Sequence, residues 1–340
     1  MKRLLNTLYI TTQGAYVSRD GDTVLVRVDG ETRLQVPIRT LSSIVCFGNV
    51  LCTPPLMQLC GEHDVHLSFL SERGRYYARI QSPVSGNVLL RREQYRRADD
   101  PESSCILARS FVIGKIANAR SVLMRAARDH DVSEQLSTTV HRLANHIREL
   151  MDVPSIDRVR GLEGSAANDY FRVFPDLIVA QREDFPFDGR NRRPPTDRMN
   201  ALLSFLYALV SSDTTAACES VGLDPQVGFL HRDRSGRPSL ALDLMEELRP
   251  YIADRLALSL VNRKQVNSKG FRITETGAVH MDETTRKTVL VAYQERKQEE
   301  IQHPYLGESI AVGLLPHVQA MLLSRHLRGD IDGYPPFLVH

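Results

Sequence analysis

Three stretches of this 340-residue chain gather residue types that could do chemistry. The first is RVRGLEGSAANDYF, residues 158–171, where Glu163 stands between Gly161 and Gly164 with Ala166 and Ala167 close behind. Small residues beside a helical carboxylate let another backbone or a ligand come near. A tight helix-packing site with an exposed Glu reads equally well from the spacing. The second is GFLHRDRSGRPSLALDLMEELR, residues 228–249. A short apolar run ends in His231, and a basic turn follows with Arg232, Arg234 and Arg237 around Gly236. On the next helix Asp243, Glu246 and Glu247 fall at i, i+3 and i+4, one shared face. Such a face is either solvated, paired with Arg, or holds a cation. Carboxylate plus imidazole is a fit donor set for Mn²⁺ or Mg²⁺, and Mn²⁺ accepts the nitrogen more readily. The third is RKQVNSKGFR, residues 263–272, with Arg263, Lys264, Lys269 and Arg272 and no acid. A basic patch together with a metal-ready acid cluster suits phosphodiester chemistry, the cation serving the reacting phosphate and the basic groups its neighbours.

Composition narrows the classes. The net charge is +2, with 25% charged and 42% hydrophobic residues, which is ordinary for a globular chain. Only six of the 43 basic residues are Lys, and the other 37 are Arg. Arg forks suit phosphate, although coding bias explains the same count, so any nucleic-acid footprint must be local. The five cysteines include no CxxC, which speaks against zinc and a disulfide framework and for a reducing compartment. No GxxxxGK[ST], GxGxxG, HExxH or GxSxG occurs, which disfavours P-loop hydrolysis, dinucleotide redox work, zincin proteolysis and serine-hydrolase chemistry. The uncharged apolar run 199–212 is shorter than the ~20 residues of a spanning helix. The opening MKRLLNTLYITTQ shows no secretory signal pattern, so the expectation is a cytoplasmic protein.

The elements that must position these residues fall into two regions. Residues 1–88 read as β, with strands over 4–12, 32–37, 43–47, 65–70 and 76–80, alternation around Val24, Val26 and Val28, and Asp-Gly pairs at hairpin spacing. One short helix fits over 54–63. Loop clusters follow at 82–87 and 98–104, the second also a helix-start signal. Helical periodicity then runs from 104, with further helices over 133–151, 156–171, 197–210, 239–259, 282–302 and 308–327. The expected fold is α+β: an N-terminal antiparallel, sandwich-like β domain over 1–88, a linker over 89–103, and a larger all-helical domain over 104–340 that carries the site.

Five segments together resemble the CRISPR-associated adaptation integrase family, over nearly the whole chain. They are VPIRTLSSIVCFGNV, GLEGSAANDYF, FDGRNRRPPTDRMNALLSFLYALV, GFLHRDRSGRPSLALDLMEELRP and RHLRGDIDGYPPF, the last similar to the subtype I-C branch. The resemblance implies a metal-dependent DNA integrase and endonuclease. In it a DNA 3′-hydroxyl attacks a phosphodiester of the repeat, and branched or linear DNA can also be cut. It implies Glu163, His231 and Glu246 as ligands of Mn²⁺ or Mg²⁺, with Asp243 a supporting or alternative ligand and Glu247 exposed or paired with an Arg. It also implies a homodimer through the β domain and a small ferredoxin-like partner protein. Arg232, Arg237, Arg263, Lys264, Lys269 and Arg272 are the basic residues expected to meet DNA. A catalytically silent nucleic-acid-binding scaffold of the same fold is the alternative. A metallohydrolase of small phosphorylated molecules is the third reading.

Overall fold

A computed structural model describes residues 6–72, 74–80, 87–129, 133–192 and 194–339. The chain divides into two compact units: Met1–Gly86 with Met281–Gln294, and Asn87–His280 with Glu295–His340. The loop expected at 82–87 lies outside the described residues except for Asn87.

The first unit holds β1 (Asn6–Ile10), β2 (Tyr16–Asp20), β3 (Thr23–Val28), β4 (Glu31–Pro37), β5 (Leu41–Phe47), β6 (Leu51–Cys52), helix α1 (Pro54–Glu62), β7 (His66–Leu70) and β8 (Tyr76–Arg79). One sheet runs β4-β3-β2-β6, and its two hairpins are antiparallel. The β3–β4 turn is Asp29-Gly30 with both φ values positive, +52° and +81°, the twist that a two-residue hairpin needs. The other sheet runs β1-β5-β7-β8 and corrects the antiparallel expectation, because β1–β5 and β5–β7 are both parallel. A parallel pair needs a crossover: β2–β4 lie in the one from β1 to β5, and α1 in the one from β5 to β7. Thr53 caps α1 by accepting the Leu56 N–H, and Pro54 sits at the helix start. Ile10, Val17, Val24, Ile44, Leu56, Leu59 and Leu67 form one core between the sheets and α1.

The remaining elements are α2 (Val88–Asp99), α3 (Pro101–Asp129), α4 (Glu134–Leu150), α5 (Ile156–Val173), α6 (Arg198–Ser220), α7 (Ser239–Arg249), α8 (Arg255–Asn262), β9 (Phe271–Ile273), β10 (Val279–Met281), α9 (Glu283–Gln298), β11 (Glu300–Gln302), β12 (Ser309–Ala311) and α10 (Leu315–Leu327). Three expectations need correction. The 89–103 linker is helix: α2 covers most of it, and Asp100 caps α3 by accepting the Ser103 N–H at 2.9 Å with Pro101 at the first position. The C-terminal region is not all helical, since β9 pairs β10 and β11 pairs β12. Residues 281–294 group with the β unit rather than with the helices.

The single helix read over 239–259 is α7 and α8 joined by a π-helical turn, Pro250–Asp254. Pro250 has no N–H for the α ladder, so the turn widens there. Helix α6 is long and apolar enough to cross a membrane by length and composition, yet Met199, Leu202, Leu206 and Val210 are buried in its unit. Gly114 of α3 lies against α7: an added Cβ would meet Glu247 Cβ at 2.8 Å, so only glycine permits this approach. All five cysteines are free thiols.

Candidate active site

Four side chains from four segments meet in the helical unit. Glu163 comes from α5, His231 from the loop before α7, Glu246 from α7 and Lys115 from α3. The Lys115 ammonium bridges the two carboxylates, pairing with Glu163 Oε1 and lying 2.8 Å from Glu246 Oε2. His231 Nε2 stands 3.8 Å from Glu246 Oε1. Arg249, one turn beyond Glu246, also pairs with Glu246 Oε2. The face of α5 that carries Gly161 and Gly164 stays open, because a Cβ on either would meet nothing within 4 Å. The tight packing site that the sequence allowed is therefore absent at these two glycines.

The imidazole is held from behind. Asp243 is fully buried, and its Oδ2 accepts the Phe229 and Leu230 N–H groups at 2.6 and 2.9 Å. Its Oδ1 accepts the His231 N–H at 3.0 Å and contacts His231 Nδ1 at 2.6 Å. A carboxylate can only accept, so the proton of that ring bond sits on Nδ1, and Nε2 is the nitrogen turned toward Glu246. Arg160 of α5 ties the same loop by donating from Nε to Leu230 O at 2.7 Å.

Charge in the cluster is strongly biased. Burial opposes ionisation of Glu163, but Lys115, with Arg249 and His231, outweighs it and holds that carboxyl below its usual range. Burial pushes the Lys115 ammonium down to about 8, with Arg249 adding to the effect and Glu163 resisting it. Beneath them Asp254 is raised by burial and accepts Tyr207 Oη at 2.7 Å and Tyr170 Oη at 3.1 Å. Arg249 and Arg190 each lie 5.1 Å from the Tyr207 ring centre. Arg249 therefore spans from this aromatic seat to Glu246.

Among the described residues, no three His, Cys, Asp or Glu side chains are grouped as ready metal ligands. The donor set nevertheless fits a divalent ion. Carboxylate and imidazole are suitable donors: the Lys115 ammonium lies between the Glu163 and Glu246 carboxylates, and His231 Nε2 is turned toward Glu246.

Residues 8–295 match the family described as CRISPR associated protein Cas1. The chain belongs to the Cas1 family. A relative from Chlorobaculum tepidum, a CRISPR-associated endonuclease Cas1, is 54% identical and covers 99% of both chains. A casposase bound to integration product superposes with a TM-score of 0.85 at 22% identity, covering 97% of this chain and 93% of that one. The Cas6-RT-Cas1–Cas2 complex matches with a TM-score of 0.83 at 23% identity, covering all of this chain and 36% of that one. At such identities these two structures establish a shared fold.

The other candidates of this Cas1-family chain stand elsewhere. Glu247, expected exposed or Arg-paired, is fully buried. It accepts from Tyr334 Oη, from Gln319 Nε2 at 3.0 Å and from Phe337 N–H at 2.6 Å. Consecutive helical residues project about 100° apart, so Glu246 points to the site and Glu247 to the C-terminal segment. Asn118 of α3 grips the same segment, donating to Phe337 O and accepting from Val339 N–H, both at 2.8 Å. Burial raises the Glu247 carboxyl to about 8, against the three donors. Arg232 is exposed and pairs with Asp157 at 3.2 Å. Arg237 is half-buried in the 232–238 turn, and Arg263, Lys264, Lys269 and Arg272 are exposed after α8. None of the contacts described for these six reaches the Glu163–His231–Glu246 cluster.

Sequence reading missed Lys115, Arg249 and Asp254. The signal for Lys115 was present: it is the one charge in SFVIGKIANA, residues 110–119, and a lone charge in an apolar helix asks for a buried partner.

Proposed function

We propose that this Cas1-family protein is a divalent-metal-dependent DNA endonuclease and integrase. Glu163, His231 and Glu246 would hold Mn²⁺ or Mg²⁺ at the reacting phosphate. The observation that carries the reading is the convergence of these three side chains from separate segments, with the imidazole turned by Asp243 so that its Nε2 faces Glu246. The likeness to an endonuclease Cas1 and to a casposase bound to integration product supports the substrate class.

The bound ion supplies Lewis acidity, polarising a phosphoryl oxygen and stabilising the charge that develops. The chain supplies the rest. Asp243 keeps the Nδ1 proton in place, and Arg249 fixes the Glu246 carboxylate against the Tyr207 ring. A 3′-oxygen forms a new bond to phosphorus as the bond to the leaving 3′-oxygen breaks. The proton of the attacking hydroxyl is lost, and the departing oxygen gains one. With water as nucleophile, the same site cuts DNA.

A homodimer through the β unit, a small ferredoxin-like partner and a cytoplasmic location complete the proposal. The solved Cas1–Cas2 complex is consistent with such a partner. Subtype I-C rests on the RHLRGDIDGYPPF segment alone. The test is strand transfer of a 3′-hydroxyl duplex into a supercoiled repeat-bearing plasmid, with the small partner, in Mn²⁺ and in EDTA. Wild type should join DNA only with metal, and Glu163→Ala and His231→Ala should bind DNA but fail to join it. Mutants as active as wild type would remove the ligand assignment. Wild type that binds DNA and never joins it would put the silent scaffold in its place.

A further inference from the structure

We infer that Lys115 is a resident counter-cation that holds Glu163 and Glu246 together and gives up their oxygens when a divalent ion binds. The inference rests on the metal-dependent reading above and adds a residue to it. Lys115 Nζ contacts Glu163 Oε1 and Glu246 Oε2 at once, and its side chain is only 13% exposed. The position is built, not incidental. Gly114 lets α3 press against α7, which delivers the next residue to Glu246. No other charge lies within 110–119 of that helix, so the ammonium has been placed in an apolar stretch for these two partners. Without it, two carboxylates from α5 and α7 would face each other in a partly dry cleft and repel.

Arg249 does not replace it. Its guanidinium is held over Tyr207 and touches Glu246 only, not Glu163. A divalent ion ligated by both carboxylates would sit beside the Lys115 ammonium, and the two like charges repel. Loading is therefore an exchange, cation for cation. Lysine suits it, because a compact charge on a flexible four-carbon stem can withdraw while staying nearby, where a planar fork would not. Lys115 is in this sense a positioning residue: it acts through the carboxylates. It also sets how tightly they take a metal.

The test uses the full chain and needs no DNA. Titration calorimetry with Mn²⁺ compares wild type, Lys115→Met and Lys115→Arg. The Met variant should bind Mn²⁺ about tenfold tighter and gain more melting temperature from it, and the Arg variant should bind more weakly than wild type. A purely structural lysine would weaken binding in both. A Met variant that folds only with Mn²⁺ present also supports the exchange, since the ion then replaces the ammonium. A folded Met variant that binds Mn²⁺ no tighter than wild type overturns it.

Wild type alone gives the second arm. The chain has only six lysines, so ¹⁵N-lysine spectra resolve Lys115, assigned with the Arg variant. Its signal should move during Mg²⁺ titration and saturate with the binding heat; a signal that stays still while the heat saturates overturns the proposal. A wild type that binds no divalent ion at all would instead remove the metal-dependent reading itself.

Discussion

Asp243→Asn isolates the buried carboxylate that turns His231. Asp243 takes four donors: the N–H groups of Phe229, Leu230 and His231, and the ring at Nδ1, all between 2.6 and 3.0 Å. An amide has one acceptor oxygen. Whichever way it is turned, its NH₂ faces two donors. Hydrogen bonds to a charged group are worth about 1.5–3 kcal/mol each, so losing two costs about 3–6 kcal/mol. At about 2–4 °C per kcal/mol for a unit of this size, the melting temperature should fall by about 10 °C. If the NH₂ turns toward the ring, Nδ1 must lose its proton and Nε2 must gain it. The lone pair then no longer faces Glu246, and metal affinity should drop about 10–100-fold. Differential scanning fluorimetry in EDTA reads the first effect, and Mn²⁺ titration calorimetry reads the second. A variant that melts within about 2 °C of wild type and binds Mn²⁺ equally would refute the role given to Asp243.

Two further outcomes follow from the same geometry. Gly228→Ala should lose about 1–3 kcal/mol and weaken Mn²⁺ binding, because its Cβ would meet Asp243 Oδ2 at 2.7 Å and the Ser239 backbone at 2.8 Å. Gly164→Ala, exposed inside α5 with nothing within 4 Å, should melt no lower than wild type, gaining about 0.5–1 kcal/mol, and serves as the control. Glu247, its carboxyl raised from 4.5 to about 8, stays neutral in the folded chain over a range where the unfolded chain ionises. The folded state binds the extra proton there, so the stability contributed is lost as pH rises from 4.5 to about 8. The melting-temperature difference between wild type and Glu247→Gln should therefore shrink as pH rises through that window. A constant difference would mean that Glu247 is already a carboxylate, held by Tyr334, Gln319 and the Phe337 N–H.

Local chemistry made much of this molecule readable. The Asp29-Gly30 turn, the Pro54 helix start and the i, i+3, i+4 acids of α7 each follow from a few adjacent residues. What lay beyond local pattern was misread. Parallel pairing of β1, β5 and β7 depends on a crossover, and nothing within one strand declares its neighbour. In the run ADDPESS the helix-start signal holds, with Asp100 capping α3, but the loop and linker around it are helix. The acids of α7 share a face by spacing, yet tertiary packing sends Asp243 to a backbone loop, Glu246 to Lys115 and Glu247 to the C-terminal segment. Which carboxylate meets which partner is decided by helices far apart in the chain, and Lys115 went unnoticed for that reason.

The grip of Asn118 and Glu247 on residues 334–339 has a consequence for the order of events during synthesis. These contacts fasten α3 to α7, the two helices that bring Lys115 to Glu246. Chains grow from the N-terminus and fold as they emerge. A ribosome-bound chain that has exposed α3, α5 and α7 has their direct contacts but still lacks the C-terminal clasp. That last fastening is made only after Tyr334 and Phe337 leave the exit tunnel, so a nascent or prematurely stopped chain would carry every candidate ligand without this clasp on α3 and α7.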